Sequence, residues 1–131
     1  MELFNNPLGI HERALQARSQ RLELIAQNIA NADTPQYKAR DLDFKQLMNQ
    51  EQLGKSIRTT DQRHYAIAES DENSFAQAVK FRNPLNPSFD DNTVEMSVEQ
   101  SNYGKAASDY QATLSFLEGR VSGIRKALKG E

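Results

Sequence analysis

The side chains with chemical potential in this sequence are few and scattered. Two histidines, His11 and His64, lie far apart, and neither stands in an HExxH or His/Asp spacing that would hold a metal. Arg63 and His64 follow Asp61, a grouping that could trade a proton, but a histidine in a polar loop reads more simply as solvated surface. Asp90 and Asp91 with Glu95 and Glu99 gather four carboxylates. Their spacing is not that of an EF-hand loop, and acids ahead of a helix have their own electrostatic reason to be there. There is no cysteine, so no thiolate ligand, disulfide or cysteine nucleophile. No glycine-rich phosphate loop and no nucleophile elbow occur. The sequence offers no catalytic set, no metal set and no cofactor site.

Composition points the same way. The 131 residues suggest one domain, 1–131, yet hydrophobic residues are only 37% of the chain and mean hydropathy is −0.76. Such a chain is either a marginal small domain or one that completes its core against neighbours. A net charge of −2 argues against a nucleic-acid binder built on phosphate contacts. Charge is uneven: Asp61–Ser101 holds eight acids against three bases, while Gly119–Glu131 holds four bases and one acid. Basic residues in a helix's last turns suit its dipole, which is sufficient to explain the tail. No apolar stretch is long enough to span a membrane. The start, MELFNNPLGIHERA, lacks a basic and then apolar leader, so no cleaved signal peptide is expected.

Two amphipathic segments dominate the chain. Leu8, Leu15, Leu22 and Ile29 recur every seven residues, with Ile25 and Ala32 between them and His11 and Arg18 interrupting the earlier seam. Pro7 suits a helix start, and a helix is expected over 8–32. Near the other end, Tyr103, Ala107, Tyr110, Leu114, Leu117, Val121, Ile124 and Leu128 alternate in steps of four and three. This predicts a helix over 93–129, with Thr93 as N-cap and Gly130 as stop. It would be about 55 Å long, more than a compact domain of this size can cover, and Gly104, Gly119 and Gly123 weaken it. It should need partners along its length.

Residues 33–92 read as an irregular middle. Leu42, Phe44, Leu47 and Met48 could hold one or two helical turns, SIRTTDQRHYAIAE could pair as a short strand, and Pro84 and Pro87 exclude regular helix around them. Residues 50–90 are expected to be mostly extended or loop. The fold class is therefore mainly α: long terminal helices in a coiled-coil-like hairpin around loops and short strands.

The first helix ends in NIANADTPQYK. Pro35 disfavours α geometry at Thr34, and Asn31 or Asp33 can cap or turn the chain there. Asn28 is unexplained by local chemistry, since a mid-helix asparagine has poor propensity.

Residues 14–44 closely resemble the N-terminal signature of the bacterial flagellar rod and hook proteins: Asn-Ile-Ala-Asn, a short spacer, then Thr-Pro-Gly-Tyr. Asn28, Asn31, Thr34, Pro35 and Tyr37 fall at the expected offsets. Within that family, the short length and YKARDLDF look like the proximal-rod subunit. RNPLNPSFDDNTVEMSVE resembles the rod signature Pro-Ser-x-Asp-Gly-Asn-x-Val, carried here by Asn92 and Val94. TTDQRHYA and the last helix also match, so the resemblance covers nearly the whole chain. Gln36 and Asp91 stand where the family has glycine, so both turns are expected to be strained or altered if those glycines serve positive φ.

The resemblance implies a structural axial subunit without cofactor, exported without a cleaved signal through the flagellar type III apparatus and assembled in the periplasmic basal body. Its partners would be other rod subunits, membrane-ring and export-gate proteins in a helical assembly, with no nucleic acid and no small-molecule substrate. The seam residues Leu15, Leu22, Ile25, Ile29, Tyr110, Leu114, Leu117, Val121, Ile124 and Leu128 would make the subunit interface. Asn28 would hydrogen-bond a neighbouring chain or loop and fix register. The rival reading is a soluble helical adaptor or export chaperone using the same stripes.

Overall fold

A computed structural model describes residues 8, 10–54 and 71–130, the side chains of 50–54 and 71–73 excepted. Pro7, His64 and SIRTTDQRHYAIAE lie outside the described residues. The elements run α1 (Ile10–Ala30), β1 (Arg40–Leu42), α2 (Phe44–Gly54), α3 (Asp71–Ala78), β2 (Val79–Phe81) and α4 (Met96–Lys129).

Helix α1 stops two residues short of the expected end because an asparagine competes for its last carbonyls. The Asn31 side-chain amide donates to the Gln27 carbonyl at 2.8 Å, and the Asn31 N–H is shared between Gln27 and Asn28. The chain then tightens through Ala32 N–H to Ile29 and Thr34 N–H to Asn31.

Helix α4 begins at Met96, and Glu95, without a side-chain capping bond, stands at its N-cap. Thr93 is not the cap, because its hydroxyl already accepts the Ala39 N–H at 2.8 Å and its own N–H donates to Tyr37. At the far end Gly130 adopts φ 73° and its N–H returns to Lys126 at 3.0 Å, the left-handed stop expected there.

The two long helices pair antiparallel, fixed by Arg18 to Asp109 and by Asn28 to Glu99. Against one side of α1 sits a small core of Ala17, Leu42, Leu47, Phe75 and Ala78, with Leu24, Phe44, Met48 and Val79 packed around it. β1 and β2 form a two-stranded antiparallel ribbon, with Asp41 opposite Lys80 and Leu42 opposite Val79. Asp43 follows β1 and starts α2: its carboxylate accepts the Gln46 N–H at 3.0 Å.

The middle is more helical than its polarity suggested. Residues 71–78, expected to be extended or loop, form α3 because Phe75 and Ala78 share one face and bury it in the core. Helix α2 likewise runs to Gly54 rather than one or two turns. Pro84 and Pro87 lie beyond β2, outside any helix.

Candidate assembly surface

The joint between α1 and the ribbon is organised by Asn28. Its side chain is fully buried and uses both ends. The amide donates to the Arg40 carbonyl at 2.8 Å and to Glu99 at 3.3 Å, and the oxygen accepts the Arg40 N–H at 3.0 Å and the Tyr37 hydroxyl at 3.3 Å. A mid-helix asparagine is tolerated because it satisfies the backbone of a passing segment that no helix could. Its partners here are the start of β1, the loop before it and the other long helix, all within the chain.

Asn92 does the matching work from the far end of the sequence. Its buried amide donates to the carbonyls of Asn31, Ala32 and Thr34 at 3.0, 2.8 and 2.8 Å, in the turn that follows α1. Its oxygen accepts the Val94 N–H at 2.8 Å. Thr34 donates to the Asn31 side chain at 3.1 Å, and Pro35 is exposed in the turn. Gln36 and Asp91, the two positions of family glycines, have φ 62° and 59° and are the non-glycine residues with positive φ among those described. The expectation of left-handed turns there holds in geometry.

A chain of charges extends from Asn28. Glu99, almost fully buried, is paired with Arg82 as well as with Asn28. Arg82 also reaches Asp41 at 2.9 Å, and Asp41 takes a two-pronged bond from Arg21 at 2.9 and 3.2 Å. Burial pushes the Asp41 carboxyl up, but the hydrogen bond and charge of Arg21, with the Leu42 N–H and Arg82, hold it below its ordinary value. In return Arg21 is raised, by its hydrogen bond to Asp41 against burial. None of Glu99, Arg82, Asp41 or Arg21 was singled out for this from sequence. Glu99 read as a helix-start acid, and nothing local tells a carboxylate that will meet an arginine seventeen residues away from one that will meet water.

Comparison with known proteins gives this joint its context. A family described as "Flagella basal body rod protein" matches residues 8–38, the stretch that holds Asn28, Asn31 and Tyr37. The flagellar basal body rod protein FlgB of Aeromonas hydrophila is 44% identical over 131 residues, covering 98% of this chain and 96% of that protein. FlgB of Cereibacter sphaeroides is 42% identical over 128 residues, 98% of each chain. FlgB of Salmonella typhimurium is 37% identical over 136 residues, covering 99% and 98%. The chain belongs to the flagellar basal body rod protein family.

In this rod protein the expected seam residues fall into three groups. Ile25 is fully buried and is therefore interior to the subunit. Leu15, Leu22, Ile29, Tyr110, Leu114 and Leu117 are half-buried. Val121, Ile124 and Leu128 are exposed, the last by 81%.

The reason is a rotation of the helix contact. The line of α4 that meets α1 runs through Glu99, Asn102, Ala106, Asp109 and Thr113, small and polar residues that are buried or half-buried. Tyr103, Ala107, Tyr110 and Leu114 each stand one residue, about 100°, around from that line. On α1, Leu15, Leu22 and Ile29 stand on the side of the contact away from Ala17 and Leu24, which enter the core. The antiparallel pairing brings both half-covered apolar lines to one flank of the hairpin, opposite the core.

Helix α4 continues past the start of α1. Every residue from Glu118 to Lys129 is exposed, about 18 Å of helix. Among the described residues no group of histidine, cysteine, aspartate or glutamate is placed to hold a metal, and no helix is long and apolar enough to cross a membrane.

Proposed function

We propose that this rod protein is a structural subunit of the proximal rod of the bacterial flagellum. It joins its neighbours through α1 and α4 to help build the shaft between the membrane ring and the distal rod. The observation that carries this reading is the apolar stripe of α4. The hairpin contact uses a polar line beside it, so that Tyr110 and Leu114 are only half covered, Tyr103, Val121 and Ile124 are exposed, and Leu128 stands in solvent. An amphipathic helix left uncovered over three turns is a surface for another helix.

On this reading the whole chain is one axial unit that works in the periplasm, and its partners are other rod subunits and the ring and export-gate proteins at its base. The half-buried and exposed seam residues make the intersubunit contacts, while Ile25 and Asn28 serve inside the subunit. Purification of basal bodies tests the function. The chain should co-purify with them, and cells lacking it should build no rod. Its recovery only from the cytoplasm, bound to one partner, would favour an adaptor instead.

A further inference from the structure

The apolar lines that flank the contact on both long helices repeat every seven residues, so a slide of α4 along α1 by one heptad would keep an apolar side chain at each place on that flank. Leu114 would replace Ala107, and Leu117 would replace Tyr110. Apolar packing alone therefore discriminates poorly between registers. The polar contacts discriminate sharply. Asn28 meets Glu99 and Arg18 meets Asp109, each pair ten residues from the other on both helices. After a slide of seven, Asn28 would face Ala106 and Arg18 would face Phe116, while Glu99 would move about 10 Å, past the end of α1 and away from both Asn28 and Arg82, leaving Asn28 and Arg82 each short of a partner.

We propose that Glu99, held between Asn28 and Arg82, selects the register of α4 against α1. It thereby sets how much of α4 projects past the start of α1. Asn28 reads the ribbon through the Arg40 backbone, and Arg82 reads it through Asp41, so the choice is anchored to the ribbon and not only to the helix pair. A buried polar residue that fixes alignment beside a repetitive apolar stripe is a known use of buried polarity. The competing arrangement is one in which the joint itself, through Thr93 to Tyr37 and Ala39, fixes the register without Glu99.

The absence of cysteine permits a direct test on the full chain. Ala14 and Thr113, one turn beyond the Arg18–Asp109 pair, report the observed register as a double cysteine variant. Ala14→Cys with Arg120→Cys reports a slide of seven. In the otherwise unchanged protein only the first pair should cross-link under mild oxidation. In a Glu99→Leu background the second pair should gain at least tenfold in cross-link yield while helix content by circular dichroism is kept, and Glu99→Gln, which still accepts from Asn28, should retain the original pattern. Cross-linking of the first pair alone in Glu99→Leu overturns the proposal in favour of the joint. If Glu99→Leu loses its helix, Asn28→Leu makes the same cut from α1. Loss of helix in both, with no cross-link of the second pair, overturns the proposal as well, since the network then holds the fold without choosing a register.

Discussion

Gln36 and Asp91 are joined through a single peptide: the N–H of Gln36 donates at 2.8 Å to the carbonyl of Asp90, whose carbon is bonded to Asp91. Both residues adopt left-handed backbone, φ 62° and 59°, so two strained positions far apart in sequence stabilise one another's turn. Lys38 reaches the Asp91 carbonyl at 2.7 Å and closes the same contact from the other side.

Glycine should relieve this strain. A side chain in left-handed geometry costs about 1 kcal/mol, less for Asp than for Gln, because a short polar side chain tolerates it better. Gln36→Gly is expected to stabilise the chain by up to about 0.5 kcal/mol and Asp91→Gly by less, once glycine's greater freedom when unfolded is subtracted. Urea unfolding measures both. A loss of stability in Gln36→Gly would show that its side chain holds something the backbone strain does not outweigh.

Asn92→Ala should cost about 1–2 kcal/mol, since it removes the donor to the Ala32 carbonyl and the second donor to the Asn31 and Thr34 carbonyls, which keep the N–H groups of Thr34 and Tyr37. Asn92→Asp should be worse than alanine, because a carboxylate would face those oxygens with nothing to donate. The order of the two variants in a thermal melt decides whether donation, and not mere space filling, is the role of this side chain.

Acid should loosen the joint through Asp41. Its folded-state value lies below the ordinary 3.8, so the stability it contributes is complete above about that pH and is lost as pH falls through the depressed value. Asp41→Asn should therefore lower stability at neutral pH and flatten the decline below pH 4. An unchanged acid limb in the variant would assign that limb to other carboxylates.

Leu128→Asp places a charge on a side chain already 81% exposed, so the isolated subunit should keep its stability within about 0.5 kcal/mol. Incorporation into basal bodies should nevertheless fail. Normal rods from this variant would remove the last turns of α4 from the assembly surface.

The periodicities at the two ends made α1 and α4 legible, because a repeat of seven survives any tertiary context that keeps a helix half-buried. What stayed hidden was which side of the stripe would be used within the chain. Asn102, Ala106, Asp109 and Thr113 look like a solvent face until Arg18 and Asn28 supply partners, and those partners are set by the ribbon. Helix α3 was missed for a similar reason: Phe75 and Ala78, set among polar residues and an exposed Ala76, become a core face only when Leu47 and Ala17 are brought against them. The asparagines and the two glycine replacements were visible as oddities. Their purpose depended on contacts sixty residues apart in the chain, between Asn92 and the end of α1.

The core lies against one flank of the α1–α4 pair and leaves the opposite flank half bare. Each subunit is thus handed across its width before it meets another. A building block with one dressed side and one open side limits where a neighbour can attach without instruction from that neighbour.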